Sequence, residues 1–373
     1  MERKSIRVGI IGASPERSWA ARAHIPALTA SPEYSITAVG TSRPESAHAA
    51  ARQVGAAHAF TDARQLVEDP GVDLVVITVK VPAHAELAQA ALTAGKHVYC
   101  EWPLARTTDE AEALVRSADA AGVHHVTGLQ ARYAPAIAYA RELIADGRIG
   151  RVTSATVYAA RAKGPGGQIP AWGAYTLDRT NGAGTLEVAG GHTLDALRYV
   201  LGDISDLSAT LSVQRTHHTI AGTGDTVEAT SPDHLLLNAT LTSGAVVSAH
   251  IHDAKPTEAR TRLEISGTEG DLAIVSTGAH GPAGIQMGEL RLLGTGGASG
   301  TCQELPIPSR FRRPAGIDPA AEGFNVAQMY ARLAHDLRTG SHSVPDFAAG
   351  LRLHRLLDVI RLSAATGTRQ PLG

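Results

Sequence analysis

Glycine, hydroxyl and guanidinium side chains near the start of the chain follow the order a nucleotide-holding turn needs. Val8-Gly9-Ile10-Ile11-Gly12-Ala13-Ser14 reads as a strand running into a turn before a helix. Small residues in such a turn let the backbone approach a pyrophosphate, and the helix N-terminus favours its negative charge. Gly12 supplies the first glycine and Ser14 stands at the second position. The turn then extends through Pro15–Ser18 to Trp19 and Ala20. At the end of the next strand the chain reads Gly40-Thr41-Ser42-Arg43, with no acid to bind a ribose 2′-hydroxyl. Two hydroxyls and a guanidinium suit a 2′-phosphate, which Arg43 can bond bidentately. The expected cofactor is therefore NADP(H).

Hydride transfer to or from a nicotinamide leaves the protein to position a substrate carbon and to manage one proton. His192 is the first candidate proton carrier, because imidazole has the unperturbed pKa nearest neutrality; a structural histidine at a helix start is the alternative. Asp195, three residues on, lies within a helical turn of it, or is an acid favoured by the helix dipole. Lys80 ends the run Leu74–Val79, at the carboxyl edge where open α/β sheets bind ligands. Lys163, in a Gly/Pro-rich loop, ranks below it. His250 and His252 alternate on one strand face with Asp253 following, but two imidazoles without a cysteine fall short of a closed metal site. His124-His125 and His217-His218 would point to opposite strand faces. No metal is expected.

The elements that must hold these groups change character near residue 128. Before it, apolar runs at Arg7–Ile11, Ser35–Val39, Asp73–Val79 and His97–Cys100 alternate with Ala-rich helical segments at Ala20–Ala30, Glu45–Val54, Ala83–Ala94 and Asp109–Ala121. That alternation predicts a doubly wound, mostly parallel Rossmann sheet over residues 1–128. After it comes a helix at Pro135–Asp146, then strand-like runs at Val152–Tyr158, Leu207–Gln214, Leu235–Leu241, Val246–His252 and Arg262–Ser266. Helices at Asn325–Thr339 and Phe347–Thr366 close the chain, and His280–Arg313 reads as loops around one or two strands. Residues 129–373 are therefore expected to form an α+β domain with a large, mostly antiparallel open sheet that binds substrate and mediates oligomerisation.

Bulk properties exclude other classes. The 373 residues carry a net charge of −2, with 19% charged and 43% hydrophobic side chains, which gives no electrostatic reason to expect nucleic acid or an anionic membrane as partner. No apolar run approaches the ~18 residues of a spanning helix, and Met-Glu-Arg-Lys leads straight into a strand without a signal-peptide core. Cys100 and Cys302, the only cysteines, lie far apart. The expectation is a cytoplasmic protein that pairs with its own copies as a homodimer or homotetramer.

Several blocks, in order, resemble the glucose–fructose oxidoreductase / inositol dehydrogenase / rhizopine-catabolism family. They are His24-Ile25-Pro26-Ala27-Leu28, Lys96–Leu104 with its Cys100-Glu101-Trp102-Pro103 core, Leu129-Gln130-Ala131-Arg132-Tyr133, Gly147–Val152 and Gly190-Gly191-His192-Thr193-Leu194-Asp195. The resemblance covers nearly the whole chain. It implies that Thr78, Val79, His84, Glu101, Trp102 and Gln130 join the cofactor-holding set, and that Tyr133 and Arg132 reach the substrate. Tyr133 is then a candidate donor to a carbonyl oxygen; an amphipathic packing tyrosine is the alternative. It also implies a small-molecule substrate: a sugar, a cyclitol or a bulkier carbonyl or imine.

Two positions depart from the family pattern. Its acid/base lysine is replaced by Trp102, whose indole can donate a hydrogen bond but cannot shuttle a proton at neutral pH. Val188, with Glu187 beside it, stands where an Asp four residues before the histidine is common. Both departures, and the long Gly12–Ala20 turn, are similar to the branch containing the fungal galactose-regulon repressor. Biliverdin reductases of the same superfamily also lack the lysine and still transfer hydride. The resemblance thus leaves two functions open: an NADP(H)-dependent oxidoreductase, or a catalytically silent NADP(H)-binding sensor with a protein partner.

Overall fold

The computed structural model describes residues 5–15, 18–161, 165–255, 259–276, 284–295, 301–312 and 316–372, so Lys163 lies outside the described residues. By its contacts the chain divides into two units. One is Met1–Gln130 with Arg312–His354, and the other is Ala131–Phe311 with Arg355–Gly373.

The first unit holds six parallel strands: β1 (Ile6–Ile11), β2 (Tyr34–Gly40), β3 (His58–Phe60), β4 (Leu74–Ile77), β5 (His97–Glu101) and β6 (His125–Gly128). Their order, β3-β2-β1-β4-β5-β6, is that of a Rossmann sheet. Leu74, Val75, Val76 and Ile77 are fully buried in β4, as a parallel strand covered on both faces requires. Helix Pro44–Val54 starts on a proline and stops at Gly55, which takes a left-handed conformation (φ 70°). Helix Thr108–Ala121 is capped by Thr107, whose hydroxyl accepts from Glu110 N. The segment read as one helix from Ala20 is a π-helical turn, Ala20–His24, leading into an α-helical turn, Ile25–Thr29. Strand β3 and helix Ala63–Glu68 carry too few residues to show a period and went unread.

Residues 312–354 belong to this unit because the helix Phe324–Thr339 packs on its opening elements. Tyr34 donates to Tyr330 O at 2.8 Å, and Tyr330 is fully buried beside Tyr34 and Tyr99.

The second unit is built on β7 (Val152–Ala160), β8 (Gln168–Pro170), β9 (Ile204–Ser212), β10 (His217–Ala221), β11 (Thr226–Glu228), β12 (His234–Leu241), β13 (Val246–His252), β14 (Arg260–Gly267), β15 (Asp271–Ser276), β16 (Leu290–Thr295), β17 (Cys302–Glu304) and β18 (Gln370–Pro371). Nine of these make one sheet, β17-β16-β15-β14-β7-β13-β12-β9-β18, antiparallel except for the parallel pair β13/β7. One face buries Val157, Leu235, Leu237, Val247, Ile251, Leu263 and Ile265. The alternating positions leave Leu236 (45% exposed) and Val246 (56%) on the open face. A separate three-stranded sheet, β11-β10-β8, closes a small core of Ile169, Leu177, Ile220 and Ala229. A π-helical turn, Leu186–Gly190, runs directly into the helix Gly191–Leu201.

Candidate functional site

In the first unit β1 delivers Gly12 at φ 98°, a conformation that a side chain would strain. A Cβ there would meet Thr78 Oγ1 at 2.8 Å and Val79 Cγ1 at 3.0 Å. Thr78 in turn donates to Ile11 O at 2.9 Å, and Gly12 N and Ala13 N both donate to Gly40 O. The ends of β1, β2 and β4 are thereby tied into one edge. Along it opens a cleft of about 320 Å³ lined by Gly12, Ser14, Thr41, Ser42, Arg43, Ser46 and Val79, among others. Thr41 Oγ1 lies 2.6 Å from Ser46 Oγ and 3.0 Å from Arg43 O, which fixes the turn. Arg43 is exposed and makes no ion pair among the described residues. Ser18 closes the long loop by donating to Ser14 O at 2.6 Å and accepting from Ala21 N. Ala20 is buried, and the neighbouring Trp19 leaves its buried indole N–H without a partner.

The other residues expected around the cofactor have different settings. Glu101, at the carboxyl end of β5, is 7% exposed, and its Oε1 lies 3.0 Å from His24 Nε2. His24 Nδ1 lies 2.7 Å from the Tyr330 hydroxyl. Trp102 is 5% exposed, with its ring 4.8 Å from that of His354. His84 is buried and sets its two ring nitrogens on Pro103 O (2.7 Å) and Val79 O (3.0 Å), so it braces the strand ends. Burial lowers its pKa, against the two carbonyls. Lys80 is exposed and precedes the 3-10 turn Val81–Ala83. Gln130 is 2% exposed, and its Oε1 has no hydrogen-bond partner.

In the second unit His192 sits at the start of the helix Gly191–Leu201, 3% exposed, with Nδ1 unpartnered. Burial, and then the charge of Arg161, push its pKa down to about 3. It is therefore neutral at pH 7, contrary to the expectation of a ring titrating near neutrality. Arg161 bonds Asp253 bidentately (2.7 and 2.8 Å), and Thr185 also donates to Asp253 at 2.8 Å. Asp195 does not act on His192: both its oxygens accept from Arg132, at 2.9 and 2.6 Å. Burial lowers the Arg132 pKa, but the Asp195 hydrogen bonds and charge outweigh it and leave the pKa raised. Tyr133 is half-buried at the end of the 3-10 turn Gln130–Tyr133. Glu187 pairs with Arg361 at 2.7 Å and accepts from Gly184 N at 2.9 Å. Because Gly190 N bonds Thr185 O five residues back, the π turn shifts the helical phase by one. Glu187, five residues before His192, consequently takes the phase that a four-residue spacing has in a regular helix.

His234, His250 and His252 stack on the open sheet face beside Tyr158, with ring centroids 4.7 to 5.6 Å apart. Burial, then the neighbouring rings, bring His252 down to about 4. Near-parallel rings cannot all place a nitrogen lone pair on one ion, since each lone pair lies in its own ring plane. Among the described residues no group of three His, Cys, Asp or Glu is arranged to hold a metal ion. None of the described helices is long and apolar enough to cross a membrane.

These residues fit a nicotinamide dinucleotide. The cradle at Gly12 would be filled by a Cβ, Arg43 is available to an anion, and Trp19 and Gln130 each hold a buried polar atom in reserve. Residues 6–128 match the model of an oxidoreductase family with an NAD-binding Rossmann fold, and residues 135–276 match the C-terminal domain of Gal80p. The 1,5-anhydro-D-fructose reductase of Ensifer adhaerens is 36% identical over 270 residues, which are 71% of this chain and 74% of that protein. The chain belongs to the Gfo/Idh/MocA oxidoreductase family. Another family relative, the galactose/lactose metabolism regulatory protein GAL80 of Saccharomyces cerevisiae, is 31% identical over 72% of the chain. The chain spans 66% of that regulator and 58% of dehydrogenase aclE of Aspergillus oryzae, which is 39% identical over 56% of the chain. Levoglucosan dehydrogenase, solved with NADH and L-sorbose, superposes with a TM-score of 0.84 at 25% identity, covering 99% of each chain.

Sequence reasoning missed His24 as more than a family marker, it missed Tyr330, Ser46, Arg161 and Thr185, and it considered Asp253 only beside a metal. Ser46 could have been found, being a hydroxyl in the first turn of the helix after Arg43. The His24–Tyr330 pair joins residues 306 apart, and no local spacing announces it.

Proposed function

We propose that this family member is an NADP(H)-dependent oxidoreductase that moves a hydride between nicotinamide and a sugar, cyclitol or related carbonyl compound. The observation that carries the cofactor choice is the end of β2. Thr41, Ser42 and Arg43 line the cleft with hydroxyls and an unpaired guanidinium, and no carboxylate is present to favour a 2′-hydroxyl. Gly12 and Ser14 would hold the pyrophosphate, with Trp19 and Ala20 closing the loop beside it. Thr78, Val79, Glu101, Trp102 and Gln130 would shape the nicotinamide side, braced by His84. Bound NADP(H) supplies the hydride.

For the substrate, His192 offers a neutral ring whose nitrogens make no hydrogen bond to the described residues, suited to orienting an oxygen by hydrogen bonding. Tyr133, next to the Arg132–Asp195 pair, is the proposed hydrogen-bond donor to that oxygen, and Lys80 is a candidate cation. The names of the reductase and dehydrogenase relatives support a sugar-like substrate class. We place the protein in the cytoplasm, as a homodimer or homotetramer covering the open sheet face.

A second reading, a silent NADP(H)-binding sensor with a protein partner, is favoured by Trp102, which puts a buried indole where an ionisable group would serve chemistry. Its support among relatives is the yeast regulator. Turnover separates the two readings. Purified protein is given NADPH with ketoses, cyclitol ketones, imines and enones, or NADP⁺ with the alcohols, while nicotinamide absorbance is followed. Turnover that collapses in His192→Ala supports the enzyme; cofactor binding without turnover on any substrate supports the sensor.

A further inference from the structure

Glu101 ends β5 on the carboxyl edge that also carries Gly12 after β1 and Thr78 after β4. It belongs to a buried chain of three groups: Tyr330 Oη to His24 Nδ1 at 2.7 Å, and His24 Nε2 to Glu101 Oε1 at 3.0 Å. Tyr330 and His24 are 0% exposed. Burial, then Tyr34 and Glu101, hold the Tyr330 hydroxyl well above its ordinary pKa, so it stays protonated and can donate. The backbone makes room for this arrangement at Gly128, where a Cβ would meet Glu101 Oε1 at 2.7 Å.

For Glu101 to accept a proton it must start as a carboxylate, and beside a neutral His24 one set of hydrogen positions then follows. Tyr330 donates to Nδ1, which leaves the His24 proton on Nε2. That N–H donates to Oε1, which fixes Oε1 as an acceptor. Oε2 makes no hydrogen bond to any described residue, and it is the remaining place on the carboxyl group for a proton. Other titratable groups around the chain are Tyr34 and Tyr99, whose rings pack on Tyr330, and Cys100 and His84, which feel the Glu101 charge. Asp336 bears on Tyr34.

We propose that Glu101 Oε2 is the proton acceptor and donor of the reaction, with His24 and Tyr330 as the positioning residues that hold Oε1. The inference rests on the reading of the chain as an oxidoreductase. In alcohol oxidation the substrate O–H bond breaks, its proton forms the Oε2–H bond, and the carbon's hydride leaves to the oxidised nicotinamide. Carbonyl reduction returns the proton from Oε2 to the new alkoxide oxygen.

The test compares wild type with Glu101→Gln, His24→Gln, His24→Leu and Tyr330→Phe in kcat, KM, NADPH affinity and pH profile. Nitrogen NMR of the His24 ring in the free protein supplies a readout apart from activity. Glu101→Gln is expected to lose roughly 10²- to 10³-fold in kcat, because the amide cannot take up or return the proton. His24→Leu is expected to lose about tenfold or more, while His24→Gln, which keeps an N–H aimed at Oε1, recovers most of it. The free protein is expected to carry the His24 proton on Nε2, and Tyr330→Phe to mix the two tautomers. A proton on Nδ1 in wild type overturns the proposal, as does a Glu101→Gln protein whose kcat is within about threefold of wild type. NADPH binding without turnover of any substrate would instead remove the oxidoreductase reading and the proposal with it, whatever the tautomer.

Discussion

At the scale of single residues, burial decides which groups can titrate. His192 has the type of a proton carrier, but the surrounding apolar helix and the Arg161 charge depress it to about 3 from 6.5. The native state therefore refuses a proton that the unfolded chain accepts. The stability this contributes is full above pH 6.5 and falls by roughly 1.4 kcal/mol per unit as the pH drops towards the folded value. Urea midpoints measured from pH 7 to pH 4 should fall, and His192→Asn should make the fall shallower. An unchanged slope in that variant would mean that the ring is not buried as described. The Arg132–Asp195 pair gives a second expectation. Asp195 is 2% exposed, so Arg132→Met would strand a carboxylate and should cost about 3 kcal/mol in urea unfolding. Asp195→Asn together with Arg132→Met should recover part of that loss, because no buried charge is then left alone.

At the scale of elements, the strand ends carry the cofactor argument. Gly12→Val would place a Cβ 2.8 Å from Thr78 Oγ1 at a φ that valine resists. The loop must then shift, and NADPH affinity should drop by about tenfold or more, read by fluorescence titration. Retained affinity in a folded Gly12→Val protein would count against this edge as the nucleotide site. The strands and helices around it were legible because their periods are long: β4 as an unbroken apolar run, and the helix Phe347–Thr366 to both its ends. The π turns at Ala20–His24 and Leu186–Gly190 were not, because a one-residue phase shift is smaller than the pattern's own noise. Trp102 was legible as a missing lysine, but its burial against His354 depends on a residue 252 positions away.

At the scale of the whole molecule, the change from alternating strand–helix grammar to strand-rich grammar revealed a Rossmann sheet followed by an antiparallel one. The return of residues 312–354 to the first unit was not visible, since it depends on which surface an amphipathic helix covers. The open sheet face, with Leu236 and Val246 exposed on it, carries the expectation of self-association. Leu236→Arg with Val246→Glu should shift the protein to smaller species in sedimentation, leaving the fold intact by circular dichroism; an unchanged assembly would move the interface elsewhere. The central claim, an NADP(H) site at the end of β2, is tested most directly by titrating wild type and Arg43→Ala with NADPH and with NADH. The account predicts tighter NADPH binding in wild type and a loss of about ten- to a hundredfold for NADPH alone in the variant. Equal or tighter NADH binding, or an Arg43→Ala protein that binds NADPH as wild type does, would contradict it.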